Sequence, residues 1–126
     1  MKDISSLLFD PELGSVSFTV ERAVYKHDRA ENTLISRSTT PVIGVIHPVA
    51  PEEIQPKPAE DVHEEYIAVY TNYTLSAGES FGRSFTAPDR IHWNGKTFRV
   101  VKARSLPQFY YCQALAVRLR EEELSG

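Results

Sequence analysis

The sequence predicts a mostly β protein, a small antiparallel β-barrel or sandwich of about six to seven strands with one long, proline-rich acidic loop. Three observations favour this class. Apolar and polar residues alternate along several segments, an Asn-Gly dipeptide separates two such segments, and no run of ten or more residues has helical spacing. The 126 residues fit a single domain, for which we expect flexible ends at 1–14 and 120–126.

The first two strands are predicted from a period of two. Val16, Phe18 and Val20 alternate with polar residues, as in a strand with one buried face. The polar residues 27–32 then indicate a turn, and residues 33–38 return as a second strand. The pair therefore reads as a hairpin with a rather long loop.

The third strand lies in the nearly continuous apolar run PVIGVIHPV, residues 41–49. Such a run, rich in β-branched residues, is typical of a strand that is covered on both faces. Gly44 within it indicates a bulge or the close approach of another backbone.

A long loop is predicted from Pro48 to Glu65. Its prolines each remove a backbone donor and fix φ, so that no long strand or helix can run through them. We expect this segment to be irregular and mobile, because it also has little apolar surface to bury. Its acidic residues are Glu52, Glu53, Glu60, Asp61, Glu64 and Glu65.

The clearest local pattern is a hairpin around Asn94-Gly95. Residues 66–71 first form another alternating strand, and Asn-Gly is the favoured pair for a type I′ turn because both residues tolerate positive φ. Counting outward from the turn places Ile91 opposite Phe98. A last strand is predicted from 109 to 119, with small residues on one face.

Charge is segregated along the chain, although the net charge is only −3. Between Arg83 and Arg120 there are eight basic residues and one acid. Two interpretations stay open: solvated faces, or head-to-tail association of one copy's acidic loop with the next copy's basic strands. The candidate basic contact face consists of Arg90, Lys96, Arg99, Lys102 and Arg104.

The sequence contains no recognisable catalytic, cofactor or metal site, and we expect the protein not to be an enzyme. The four histidines lack any spacing that would direct two rings at one metal. Cys112, the single cysteine, is predicted to be a small core residue and excludes an internal disulfide. Neither a signal peptide nor a membrane span is evident, so a cytoplasmic location is expected.

A single-stranded nucleic-acid-binding barrel is an alternative. Several aromatic residues lie near the basic residues in sequence, and stacking aromatics on a basic barrel suit single strands. About half of these aromatics are assigned to the core by alternation, however, and no known nucleic-acid-binding motif is present.

Four segments carry a resemblance to a known family: GVIHPVAP (44–51), YIAVYTNYTL (66–75), DRIHWNGKTFRVV (89–101) and FYYCQALAVRL (109–119). Together they resemble the head-closure, or head-tail connector, proteins of tailed bacteriophages, over about the last two thirds of the chain. The most specific element is a pattern of fold-shaping residues, here Asp89, Ile91, Trp93, Gly95, Phe98, Arg99 and Val100.

The resemblance implies a structural protein of virion assembly. Such proteins form a connector ring below the portal that closes the head after DNA packaging and presents a docking surface to the tail. The implied partners are portal or adaptor and tail proteins, with double-stranded DNA passing through the lumen without specific binding. The chain would be a monomer in the host cytoplasm and an oligomer in the virion.

By position, the Pro48 to Glu65 loop would make an assembly contact or line the lumen, where acidic residues would repel phosphates and let DNA slide. The hairpin 89–101 would be scaffold. Another phage tail-completion subunit and a small-ligand barrel remain alternatives.

Overall fold

The computed structural model describes residues 14–28, 31–49, 65–106, 108 and 111–120. This part of the chain folds into eight strands and includes no helix that could cross a lipid bilayer. The strands are β1 (Ser15–Asp28), β2 (Glu31–Val49), β3 (Tyr66–Thr71), β4 (Glu79–Phe81), β5 (Ser84–Thr86), β6 (Arg90–Trp93), β7 (Lys96–Leu106) and β8 (Tyr111–Arg118).

Six of the strands form a ring in which every described pair is antiparallel. Its order is β1, β2, β3, β8, β7, β6, and it closes because β1 pairs with both β2 and β6. At the point of closure, Val20 lies opposite Thr40 on one side and Ile91 on the other. The predicted mostly β fold, a small antiparallel barrel or sandwich, is confirmed.

The two additional strands, β4 and β5, form a short hairpin beside the far end of β1. At three residues each they are too short for an alternating pattern to stand out, which is why fewer strands were predicted. Beyond the barrel, β1 and β2 continue as a hairpin to Asp28 and Glu31. We call the part of this hairpin from Ala23 to Arg37, together with β4 and β5, the arm.

The expected division of 33–38 and 41–49 into two strands is wrong, because β2 runs without interruption through Pro41. A proline is tolerated there because, among the described residues, this part of β2 pairs only with β1, and an edge position does not need the missing N–H. The turn expected at residues 27–32 is shorter than predicted, because His27 and Asn32 already belong to the paired strands β1 and β2.

The core fills the interior of the ring with both large and small side chains. Phe98, Ile91 and Val100 are fully buried on β6 and β7. Beside β7, the neighbouring strand β8 contributes small residues, which were predicted on one face of the last strand. The other buried members of this cluster are Phe18, Val20, Val42, Ile67, Val69, Leu75, Cys112, Ala114 and Ala116.

The Asn94-Gly95 turn has the predicted geometry. Both residues have positive φ, 54° and 74°, as a type I′ turn requires. The counted register is confirmed, with Ile91 opposite Phe98, and the indole of Trp93 lies 6.3 Å from the Phe98 ring. The hairpin therefore delivers one aromatic residue to the core and a second to its rim.

Gly44 marks a close backbone approach, which was one of the two predicted explanations. A Cβ atom at this position would overlap the carbonyl oxygen of Tyr70 and lie 2.9 Å from Cβ of Thr71 and 3.2 Å from the Phe18 ring. The register is regular at Gly44. Irregularities lie instead between Val24 and Tyr25 and in β7 between Val100 and Lys102.

Candidate interaction surface

The strands β2, β3, β8 and β7 form a continuous part of the barrel whose outward side chains we call the outer wall. Directly paired residues of an antiparallel sheet share a face, so the burial of one pair fixes the face of its neighbours. Val69 and Ala114 are paired and buried in the core, and the adjacent pair of Ala68 with Leu115 therefore faces outward. The same counting places His47, Tyr70, Gln113, Lys102 and Arg104 on the outer wall.

A groove of about 860 Å³ lies on this wall. Its lining combines apolar side chains, among them Val49 and Leu115, with the two cations Lys102 and Arg104. Along one border the rings of His47 and Tyr70 stack with 5.5 Å between centroids. Aliphatic, aromatic and cationic groups therefore lie side by side on an open concave surface.

The apolar character of the wall extends beyond the groove. Tyr66 and Val117, which are opposite each other on β3 and β8, form a second buried cluster with Val49, Val101 and Leu115 packed against it. Val49 and Leu115 belong to both the cluster and the groove. The wall thus has an apolar strip running beside its charged side chains.

Four of the five residues of the predicted basic contact face point outward. Arg99, Lys102 and Arg104 share the outer face of β7, because their partners on β8 are Val117, Leu115 and Gln113. Arg90 lies directly opposite Arg99 on β6. The resulting strip of positive charge borders the groove on the β7 side.

The fifth basic residue, Lys96, lies apart from this strip. Its ammonium group donates to both carboxylate oxygens of Glu65, at 3.1 and 3.2 Å. Arg118 contributes a third charge, 3.7 Å from the same carboxylate. Because its charge is paired within the chain, Lys96 belongs to an ion-pair cluster at the start of β3.

Glu65 is the only residue of the predicted acidic loop set that the structure describes. Glu52, Glu53, Glu60, Asp61 and Glu64 lie outside the described residues, and so does the expectation that this segment is irregular and mobile. The predicted start of the loop is wrong, because Pro48 and Val49 are the last two residues of β2 and pair with Ile67 and Tyr66.

The fold-signature residue Asp89 is the centre of a buried polar cluster. Its carboxylate accepts hydrogen bonds from Nε and Nη2 of Arg22, at 3.0 and 2.8 Å, and from the backbone N–H of Ser76, at 2.8 Å. Arg22 also donates to the Thr74 carbonyl at 2.8 Å and lies over the Tyr73 ring. This cluster attaches the segment after β3 to the barrel end where the arm begins.

The role of Arg22 was missed by sequence reasoning, although a signal was available. The inward positions of β1 run Val16, Phe18, Val20 and then Arg22, so a charged residue occupies the next place in an apolar alternation. Such a residue needs a buried counter-charge. The hydrogen bonds that the Arg22 guanidinium donates to Asp89 raise the pKa of Arg22 above its ordinary value.

The remaining polar groups do not converge. His27 contacts Asn32 at 2.8 Å, and His92 lies between Thr97 and Glu21, at 3.1 and 3.3 Å. The described residues contain no group of three potential metal ligands, and His63 lies outside them. What the outer wall can do is bind a surface that offers anionic and apolar groups together.

A comparison of the chain with protein-family models found no match, and a comparison with curated protein sequences found none either.

Proposed function

We propose that this chain is a structural virion-assembly protein of a tailed bacteriophage, which joins the portal to the tail and closes the head after DNA packaging. The proposal starts from the resemblance of its four sequence segments to head-closure proteins. On this proposal the chain is not an enzyme, works in a connector ring, and passes from the host cytoplasm into the virion.

The observation that carries the proposal is the composition of the outer wall. Lys102 and Arg104 border an open groove whose floor includes Ala68 and Leu115. Large, partly apolar surfaces with cationic borders are typical of interfaces between proteins, in which apolar contact supplies affinity and charge supplies orientation. On this proposal the groove receives an acidic, partly apolar segment of a neighbouring virion protein.

The acidic residues between β2 and β3 complete the proposal. As part of a ring they would repel the phosphates of passing DNA or contact the basic strip of the next copy. Only the contact role depends on the basic residues of the next copy; repulsion of the DNA phosphates does not. Charge reversal at Glu60, Asp61 and Glu64 would weaken joining in either case, but only the second role would be rescued by reversing Lys102 and Arg104 as well.

The decisive experiment removes the gene from the phage and examines the lysate by electron microscopy. Packaged heads and separate tails that fail to join, and that become infectious when purified protein is added, would support the proposal. The double variant Lys102→Glu/Arg104→Glu should not complement. Lys26→Glu/Arg83→Glu makes the same charge change at two exposed positions, one in the arm and one in the turn between β4 and β5, and should complement fully. Infectious virions from the deletion strain would contradict the proposal.

A second candidate function is single-strand binding, which one specific observation favours. Arg99, Lys102 and Arg104 lie in a line on one face, and the rings of Tyr70 and Tyr111 lie 6.3 Å apart on the same wall. Cations beside accessible rings are the elements that hold a single strand by charge and stacking.

Binding of labelled single-stranded DNA distinguishes the two functions. On the head-closure proposal, binding is weak at physiological salt. Micromolar or tighter binding that falls steeply with salt, and that is lost in Arg99→Ala or Lys102→Ala, would favour the second function.

A further inference from the structure

The floor of the groove on the outer wall is one small residue among larger ones. Ala68 lies opposite His47 on β2 and opposite Leu115 on β8. Two positions away along its own strand, on the same face, are Tyr66 and Tyr70. The methyl group of Ala68 is the smallest side chain of this set and lies at the bottom of the groove. A side chain of a bound partner can therefore enter the wall at Ala68.

The strands below the groove have no open edge at this point. β3 pairs with β2 and β8 along its whole length, and β8 pairs with β3 and β7. Their backbone groups are occupied within the sheet, so a partner cannot bind here by adding a strand. The groove must be recognised through side chains. Because it is open, it suits a segment of a protein better than a small molecule, whose sites usually enclose most of the ligand.

The charge at one border of the groove favours an anionic segment. Among the described residues, none of the ion pairs involves Arg104. Arg104 follows Lys102 on the same face of β7, about 7 Å farther along the strand. The described lining of the groove includes both cations and no acidic residue. A carboxylate of a partner would thus meet complementary charge at this border.

The apolar floor and the cationic border are close enough for one short segment to reach both. Ala68 on β3 and Lys102 on β7 are separated by β8, so about 10 Å, or two strand spacings, lies between them. Three residues of an extended chain cover about this distance. Because the Tyr70 ring is already stacked on His47, the floor offers mainly aliphatic contacts, which suit an apolar side chain better than a stacked base.

We propose that the groove recognises an extended segment of a virion protein that carries a large apolar side chain and, about three residues away, a carboxylate. The apolar side chain packs over Ala68 and Leu115, and the carboxylate pairs with Arg104 and Lys102. Ala68 then determines which segments fit, because a larger side chain at this position would fill the floor. The identity of the neighbour rests on the proposed function, whereas the chemistry of the segment follows from the groove itself.

Binding of labelled, end-capped synthetic peptides to the purified protein tests the proposal. In the first peptide two serines separate a tryptophan from a glutamate. The second has glutamine in place of the glutamate, and the third has alanine in place of the tryptophan. The first should bind at least about tenfold more tightly than the third, which has no large side chain to bury, and its advantage over the second should fall with salt. No binding of the first peptide, or equal binding of all three, overturns the proposal.

Two alanine variants test the floor of the groove. Ala68→Leu should weaken binding of the first peptide at least about tenfold, because the floor is then already filled. Ala23→Leu is the matched control and should bind as the unchanged protein does, since Ala23 is equally buried, at 8% exposure, and lies outside the groove. Unchanged binding by Ala68→Leu contradicts the assigned floor.

A second pair of variants tests the cationic border. Lys102→Gln/Arg104→Gln should abolish the preference for glutamate over glutamine in the peptide. Lys26→Gln/Arg83→Gln, which removes two exposed cations elsewhere, should retain it. If the preference survives in the first double variant, the carboxylate does not bind at this border.

Nuclear Overhauser contacts in the unchanged protein decide the question even if Ala68→Leu folds poorly. The tryptophan ring of the first peptide should contact the methyl groups of Ala68 and Leu115, and contacts to other methyl groups alone would overturn the proposal. Single-stranded DNA that displaces the peptide and contacts the same methyl groups would assign the groove to nucleic acid instead.

Complementation of the deletion phage separates this inference from the proposed function. If joining requires the protein but Ala68→Leu complements as well as Ala23→Leu, the inference fails and the proposed function stands. If the deletion strain yields infectious virions, the proposed function fails, and the peptide experiments alone decide what the groove binds.

Discussion

Removal of the Arg22 guanidinium should destabilise the barrel more than any other loss of a single described ion pair. In Arg22→Met the side chain keeps its aliphatic length, but Asp89 loses two hydrogen bonds and its counter-charge while remaining fully buried. Removing one partner of a buried pair typically costs about 3–5 kcal/mol. Because 32% of the Arg22 side chain is exposed, water partly replaces the lost guanidinium. We therefore expect the free energy of unfolding to fall by about 2–3 kcal/mol.

Urea denaturation followed by circular dichroism measures this loss. Arg37→Met is the matched control, since Arg37 lies 3.7 Å from Glu21 and its side chain is 49% exposed. Surface pairs of this kind contribute about 0–1 kcal/mol. If the two variants differed by less than about 1 kcal/mol, the cluster around Asp89 would not hold the barrel end as we argue.

The pH dependence of the Arg22 contribution follows from the direction of its pKa shift. The folded-state pKa is raised above its ordinary value, chiefly by the hydrogen bond to Asp89. The stabilisation by the charged form is therefore fully present below the unfolded pKa of Arg22 and is lost only as the pH rises through the higher folded value. Titration of Arg22 should accordingly cause no change in the stability difference between the wild type and Arg22→Met across the neutral range.

Three further predictions concern the core and the barrel end. Gly44→Ala should lower the free energy of unfolding in urea by about 1–3 kcal/mol, because the added methyl group overlaps the Tyr70 carbonyl. Its control is Gly95→Ala, where nothing lies near an added Cβ and only the strain of positive φ is expected. Equal losses in the two variants would contradict the overlap. Phe98→Ala should cost about 3–5 kcal/mol by the same assay, whereas Leu34→Ala on the exposed edge should be nearly neutral. Glu65→Gln should lower the free energy of unfolding by about 0.5–1 kcal/mol at low salt and by almost nothing at 1 M salt, because the ion pairs with Lys96 and Arg118 are partly exposed. A loss of stability that persists at high salt would indicate a packing role instead.

Local patterns predicted those parts of the fold in which one rule dominates. The Asn94-Gly95 turn fixed its own register because its two positive φ angles admit only one hairpin geometry. The alternation of Val16, Phe18 and Val20 likewise identified an inward face. Local patterns could not predict the closure of the ring, because it depends on β1 pairing with β6, which is distant in sequence, as well as with β2.

The candidate surface was predicted in part for the same reason. Charge counting found Arg99, Lys102 and Arg104, but it could not separate them from Lys96, whose carboxylate partner lies 31 residues away. The outward direction of the three depends on the irregularity between Val100 and Lys102, since a regular strand would place residues 99 and 102 on opposite faces. The sequence offered no signal for that irregularity.

A second irregularity explains how the arm can carry an apolar edge without disturbing the barrel. Val24 pairs with Ser36, yet Tyr25 pairs with Leu34, so Ile35 is an extra residue in β2. In a regular ladder Tyr25 would face Ile35, and Leu34 would lie on the opposite face with Lys26. The extra residue instead brings Leu34 to the face of Tyr25 and Phe85. Because the shift begins only beyond Val24, the pairs that build the core, such as Phe18 with Val42, keep their register. One inserted residue thus lets the surface of the arm vary independently of the packing that holds the barrel together.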